Sequence, residues 1–196
     1  MPEVPSDPNF KKDLLKGLYK FRPAKEGMAQ TVRLIGSGSI MQQVLKAAEL
    51  LEEFGVASEI WSATNYGELY REAVRAERQG RLRPHEAKPS CHVADCLGDW
   101  TGSTVIASDN VIAYPQLVEK YIGGELVILG TDGFGRSDTR AALRRFFEVD
   151  SESITVAALS ALSRQQKISP DVVTGAMEKY GLKLDRPDIC MDHELS

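Results

Sequence analysis

Two glycine-rich stretches carry the residues whose types and spacing could do chemistry. In Gly36-Ser37-Gly38-Ser39, small residues follow an apolar run and open an amphipathic one, so main-chain N–H groups at a helix start could cradle an anion. The motif is incomplete. A dinucleotide fingerprint wants glycine at position 41, where Met41 stands, and a phosphate-binding loop wants a lysine that is missing. The competing reading is a tight strand-to-helix turn. The second stretch is Gly130-Thr131-Asp132-Gly133-Phe134-Gly135-Arg136-Ser137-Asp138. Asp132, Arg136 and Asp138 cluster there at the carboxyl end of an apolar strand, where ligands of α/β proteins bind. No histidine or cysteine stands nearby as base or nucleophile, so no residue is assigned a catalytic role. The preferred reading is a backbone-shaping loop at a domain or subunit interface, with Arg136 making bidentate bonds to a carboxylate or to carbonyls. Gly133 and Gly135 are expected to supply positive φ or close backbone contact, and Asp138 to cap the next helix.

Cys91, His92, Asp95 and Cys96 suggest a metal site at first sight. Read as a strand, the segment turns Cys91 and His92 to opposite faces, and no metal is assigned. Cys190 and His193 lie in a polar tail, and His85 in a polar loop. Three cysteines cannot form a closed disulfide set, which favours free thiols in a reducing compartment. Trp61, Tyr66 and Tyr70 read as core or interface, because no basic residues interleave with them in sequence. Arg140, Arg144 and Arg145 form a basic helix face, solvated or turned to an acidic partner.

The elements that must position these groups alternate. Thr31 to Ile35 reads as a strand, Gly36 to Gly38 as its turn, and Ser39 as an N-cap with Gln42 three residues on. Ile40, Val44, Ala47, Ala48 and Leu51 mark one apolar face of a helix ending at Gly55. A strand over Val56 to Trp61 leads to a helix capped by Asn65 with Glu68, and Arg78 to Pro89 reads as loop. Further strands are expected at Cys91 to Cys96, Thr104 to Ala107 and Leu126 to Leu129. Asp138 opens a short helix, Asp150 or Ser151 another through Leu162, and Ser169-Pro170 a last one to Tyr180 with Gly181 beyond. The pattern implies an α/β fold, a three-layer sandwich around a mostly parallel sheet. Residues 1–28, rich in proline, read as a linker with one short helix from Asn9 or Asp13, 29–186 as the domain, and 187–196 as a flexible tail.

The chain has 196 residues, 42% of them hydrophobic, and a formal charge of −4 with both signs interspersed. That excludes the basic stripe of a nucleic-acid binder. No apolar run approaches the ~20 residues of a membrane helix, and the amino terminus lacks a signal pattern, so a cytoplasmic location is expected.

The order Leu129-Gly130-Thr131-Asp132-Gly133-Phe134-Gly135-Arg136-Ser137-Asp138 resembles the carboxy-terminal, transketolase-like domain of the homodimeric pyruvate dehydrogenase first component, a thiamine-diphosphate enzyme. Leu34 to Ile40, Trp61 to Leu69, Ala107-Ser108-Asp109 and Phe147 to Asp150 join the resemblance, which runs from about Pro2 to Leu182 and is looser at Cys91-His92. The resemblance implies the last fifth of a larger enzyme that oxidatively decarboxylates pyruvate and passes the acetyl unit to lipoyl groups on an acyltransferase core. It also implies that thiamine diphosphate and magnesium are held by preceding domains, so the chain alone is expected to bind no cofactor and to leave pyruvate unreacted. The implied partners are those cofactor-binding domains, a twin subunit and the acyltransferase core, without nucleic acid or membrane. The other function class left open is a stand-alone small-molecule or anion-binding α/β module without catalysis.

Overall fold

A computed structural model describes residues 10–87 and 89–182, so Cys190, His193 and the 187–196 tail lie outside the described residues. The elements follow the chain as α1 (Phe10–Lys16), β1 (Leu18–Arg22), β2 (Gln30–Gly36), α2 (Met41–Glu52), β3 (Val56–Ala63) and α3 (Tyr66–Leu82). They continue with α4 (His92–Leu97), β4 (Ser103–Ala107), α5 (Ala113–Gln116), β5 (Glu125–Leu129), α6 (Arg140–Phe146), α7 (Ser151–Arg164) and α8 (Pro170–Tyr180). The five strands pair in the order β1-β3-β2-β4-β5, all parallel except β1, which runs antiparallel to β3.

Strand alternation divides the core between two faces. Val32, Leu34, Ile60 and Val105 point to one side and pack on Val44, Ala47 and Leu51 of α2 and Ile154, Ala158 and Leu162 of α7. Ile35, Trp61 and Ile106 point to the other, against Leu69 and Ala73 of α3 and Val93 and Leu97 of α4. Burying each such Leu or Ile fully is worth about 1.5–3 kcal/mol, and only a sheet covered on both faces can place consecutive apolar residues this way. The helices thus form the outer layers of the expected three-layer α/β sandwich.

Local chemistry explains most boundaries. Asn65 accepts from the Glu68 N–H at 3.0 Å, Asp150 from the Ser153 N–H at 2.9 Å and Ser169 from the Asp171 N–H at 3.2 Å, as their side chains predict. Gly181 closes α8 in the left-handed conformation with φ 63°. Four local readings differ. Ser39 is not an N-cap: it sits inside a 3-10 turn, Gly38–Ile40, that runs directly into α2. Thr139, not Asp138, caps α6, accepting from the Ala142 N–H at 3.3 Å, because Asp138 folds back onto the Thr139 N–H at 2.6 Å. The polar run beginning at Arg78 extends α3 to Leu82, since long charged side chains are good helix formers on a solvated face.

The fourth is the segment Cys91 to Cys96, which is helical from His92. Glu72 on α3 accepts from the His92 N–H at 3.0 Å, supplying the N-terminal partner that Cys91 does not. His92, Val93 and Leu97 then fall on one buried side, a pattern of apolar positions as compatible with a short helix as with a strand. A further strand appears where the sequence suggested only linker. Leu18–Arg22 forms the antiparallel edge strand β1, with Leu18 opposite Ala63 and Lys20 opposite Trp61.

That pairing completes a charged cluster across three strands. Glu59 of β3 accepts from Arg33 Nε of β2 at 2.8 Å and from Trp61 Nε1 at 2.7 Å, while Lys20 Nζ of β1 lies 2.7 Å from its second oxygen. The Arg33 guanidinium lies between the rings of Trp61 and Trp100, at 5.6 and 4.7 Å from their centroids, and donates to the Leu97 carbonyl at 3.2 Å. Burial opposes ionisation of Glu59, but the donors of Lys20, Trp61 and Arg33 together hold its carboxyl below the ordinary carboxylate range. A folded value below the unfolded one, ~4.3, means stability present at neutral pH and lost as pH falls through that value and below. Glu59→Gln should therefore cost about 1–3 kcal/mol at pH 7, by stranding the buried Arg33, and flatten the acid limb between pH 6 and 3. Urea midpoints of both proteins across that range check this, and parallel curves would refute the assignment.

Candidate functional site

The two glycine-rich stretches, about 95 residues apart in sequence, meet at the carboxyl end of the sheet. Gly36 pairs with Ala107 and Ala107 with Leu129, so β2, β4 and β5 end at one level. The chains leave together: Ser37 N–H donates to the Ala107 carbonyl at 3.3 Å, and Ser108 N–H to the Leu129 carbonyl at 3.0 Å. Ser37 Oγ gives its hydrogen to Ser108 Oγ at 2.9 Å, so this buried hydroxyl is spent inside the protein.

The signature loop is stitched to the segment after β4. Thr131 N–H donates to the Asn110 carbonyl at 3.0 Å and its hydroxyl to the Asp109 carbonyl at 2.9 Å. Asp132 Oδ2 accepts from the Ile112 N–H at 2.9 Å. The Asp132 carboxylate thus bonds the backbone of the neighbouring segment. The Arg136 guanidinium stacks over the Phe146 ring at 4.0 Å from its centroid, while Phe134 is 62% exposed. Ser137 and Asp138 are exposed on the way into α6.

Asp109 joins the two stretches, and sequence reasoning did not single it out as a functional candidate. Its Oδ2 accepts from Ser39 Oγ at 3.2 Å, and Arg144 Nη2 reaches the same hydroxyl at 3.5 Å. Its only sequence signal is its place in Ala107-Ser108-Asp109, a small polar pair just beyond a strand end. Around it opens a cleft of about 440 Å³, walled by Ser39, Asp109, Thr131, Arg136, Arg140 and Arg144 and floored by Ile40, Leu143, Phe147 and Val149. The basic helix face is thus only partly solvated: Arg140 and Arg144 line the cleft, while Arg145 pairs with Asp150 at 3.0 Å.

The remaining candidates are occupied structurally. His92 is buried, and its Nε2 donates to the Leu18 carbonyl at 2.8 Å, tying α4 to the edge strand. Burial pushes the Cys91 thiol up and the Cys96 thiol to about 11, which keeps both protonated and poorly nucleophilic near neutrality. Among the described residues no group of three or more His, Cys, Asp or Glu side chains is placed to hold a metal ion. His85 is exposed in the loop after α3. Trp61 and Tyr66 are core residues, and burial raises the Tyr66 hydroxyl well above its ordinary value. Basic residues do meet Trp61, contrary to the sequence reading: strand pairing brings Lys20 and Arg33 to its ring.

The glycines of the loop are not equivalent. Gly133 has φ 98°, as expected, whereas Gly135 is not in the left-handed region and a β-carbon there would meet nothing within 4 Å. Gly130 is constrained by space: a β-carbon would come within 2.8 Å of the Asn110 carbonyl oxygen and 2.9 Å of the Ile112 nitrogen. Gly130→Ala should therefore destabilise by about 1–3 kcal/mol by prising the loop from the β4 segment, while Gly135→Ala should stay within about 0.5 kcal/mol of the unsubstituted protein. Denaturant midpoints decide it, and equal midpoints for the two variants would show that the close approach has no energetic weight.

Comparison with known proteins matches this architecture. The transketolase-like TK C-terminal domain family matches residues 17–150. A pyruvate dehydrogenase E1 component from Cupriavidus necator is 41% identical over 95% of this chain, and one from Mycolicibacterium smegmatis 43% identical over 85%. The chain spans about a fifth of the length of these curated relatives, 21% and 18% respectively. Among solved structures, the transketolase from Leishmania mexicana superposes with a TM-score of 0.50 at 16% identity, covering 78% of this chain and 19% of that one. A transketolase from Pichia stipitis gives 0.51 at 13% identity, covering 79% and 19%. At such identities the solved structures speak for the fold alone. With the family match over most of the described residues and this five-stranded sheet beneath it, the chain belongs to the transketolase-like C-terminal domain family.

Proposed function

We propose that this chain is the carboxy-terminal assembly domain of a thiamine-diphosphate-dependent pyruvate dehydrogenase (acetyl-transferring) first component. The observation that supports the reading is the match of nearly the whole chain, at 41% identity, to about a fifth of a pyruvate dehydrogenase E1 component. In this reading 29–186 form the body of the domain, and 1–28 join it to the cofactor-binding domains while lending β1 to the sheet. Those domains hold thiamine diphosphate and magnesium and decarboxylate pyruvate, and the acetyl unit passes to lipoyl groups of the acyltransferase core in the cytoplasm. The present domain supplies contacts to them and to a twin subunit.

Surface physics supports an assembly role. Among the described residues β5 is paired on one side only, and Leu126, Val127, Ile128 and Leu129 are each half-buried. An apolar sheet edge beside an exposed aromatic is a surface that proteins ordinarily cover. Phe134 stands on the loop that follows that edge, with Arg136 two residues on, and interface cores are enriched in such aromatic and arginine anchors.

Two measurements test the reading. Calorimetry of the chain with thiamine diphosphate and magnesium should show no saturable binding, and micromolar affinity would overturn the assignment of the cofactor to other domains. In sedimentation the protein should self-associate at high concentration, and Phe134→Ala with Arg136→Ala should weaken that association at least tenfold. A monomer at all concentrations, or a dimer indifferent to the double substitution, would remove the loop from the interface.

A further inference from the structure

We propose that the outer face of α3, with the apolar seam between it and α5, is a docking surface for an acidic amphipathic helix of a partner polypeptide. The proposal goes beyond the assembly role and does not rest on it. Its first support is how the helix sorts its charges. In sequence α3 interleaves Glu68, Glu72 and Glu77 with Arg71, Arg75, Arg78 and Arg81. Folding engages the glutamates with neighbours: Glu72 accepts from the His92 N–H at 3.0 Å, Glu77 pairs with Lys120 at 2.7 Å, and Glu68 pairs with Arg71 one turn away. Arg75 and Arg78 are exposed and make no ion pair among the described residues. Arg71, Arg75, Arg78 and Leu82 recur at helical spacing on the side opposite the buried Leu69, Ala73 and Ala76, so they form the crest of the helix.

Apolar surface beside those arginines is the second support. Tyr70 and Val74, one turn apart on α3, are 39% and 37% exposed, and Tyr114 and Leu117 of α5 are 52% and 36% exposed. α5 packs against α3. Just beyond α5, the Tyr121 hydroxyl donates to Glu77 at 2.8 Å, and Glu77 stands on the same side of α3 as Val74 and Tyr70. The four exposed side chains therefore border one seam, with the basic crest along it. A face that met only water would need no such seam.

The third support is complementarity. α3 runs for 17 residues, a length of about 25 Å. A partner helix of similar length would cover the seam with leucine-like side chains and bring carboxylates along its flank to Arg75 and Arg78, whose guanidinium groups bind carboxylates bidentately. The molecule as a whole carries a charge of −4, so a long polyanion or an anionic bilayer meets repulsion beyond the crest. A single helix meets the crest alone, within the ~8 Å over which charges act at physiological salt.

Fluorescence anisotropy on the 196-residue chain tests the surface with a labelled peptide about as long as α3, glutamate on one helical face and leucine on the other. It should bind saturably at one site, at least tenfold more tightly than a counterpart with lysine in place of glutamate. Neither phosphatidylglycerol vesicles nor a single-stranded oligonucleotide should displace it. Tyr70→Ala with Val74→Ala should weaken binding at least fivefold. Arg75→Glu with Arg78→Glu should weaken it at least tenfold and create affinity for the lysine peptide, a reversal that a poorly folded variant cannot mimic. Arg140→Gln with Arg144→Gln should leave the constant unchanged, which separates this surface from the cleft at the sheet end. The proposal is overturned by no saturable binding of the glutamate peptide, by equal affinity for the two peptides, or by displacement with vesicles or oligonucleotide. It is equally overturned if the tyrosine–valine pair binds normally, if charge reversal leaves the preference as it was, or if the Arg140 and Arg144 pair loses binding.

Discussion

Three parallel strands that end at one level organise everything that could be functional in this domain. Because Gly36, Ala107 and Leu129 are register partners, the three segments that follow them start as neighbours and can satisfy one another's backbone groups. The bonds from Ser37 to Ala107, from Ser108 to Leu129 and from Thr131 to Asn110 continue the ladder past the sheet. A one-residue slip would invert the faces of each strand and separate these loops at once. The glycine loop takes its shape from that continuation more than from its own composition, which is why Gly130 must lie so close to Asn110 and Ile112.

The side of the sheet toward β1 is held differently, by a cluster at the middle of its strands. There Glu59 gathers a lysine from β1, an arginine from β2 and the indole of its own strand, with two tryptophan rings around the arginine. Burying such a cluster gains little net free energy over an apolar equivalent, since desolvation offsets the Coulombic attraction, but removing one member strands the others. The edge strand β1 is tied to its neighbours by Lys20 and by the bond from His92 to the Leu18 carbonyl, beside the burial of Leu18 in the core.

The chain belongs to the transketolase-like C-terminal domain family, and several polar groups at its sheet end are engaged within the fold. The Asp132 carboxylate that a catalytic reading would have used is spent on a backbone N–H, and the described cysteines are protonated by burial. The same sheet end carries an exposed phenylalanine beside an apolar strand edge that is unpaired among the described residues, and arginines around a recess.

By itself the sequence determined the α/β class, four of the five strands approximately in place, and the caps at Asn65, Asp150 and Ser169. These rest on interactions between residues near in sequence: alternation, a side chain reaching an N–H two or three residues on, glycine at a helix end. The position of the Thr131 to Asp138 loop, after an apolar strand and before a short helix, was legible for the same reason. Tertiary structure alone decided the rest. Leu18–Arg22 is a strand because β3 offers it an edge, and His92–Leu97 is a helix because Glu72 takes its first N–H. Ser39 gave up its capping position to bond Asp109, seventy residues away. Above all, the cleft depends on Asp109, Arg140 and Arg144 meeting Ser39 across strand ends that only the folded register brings together, a juxtaposition for which no local spacing carries a signal.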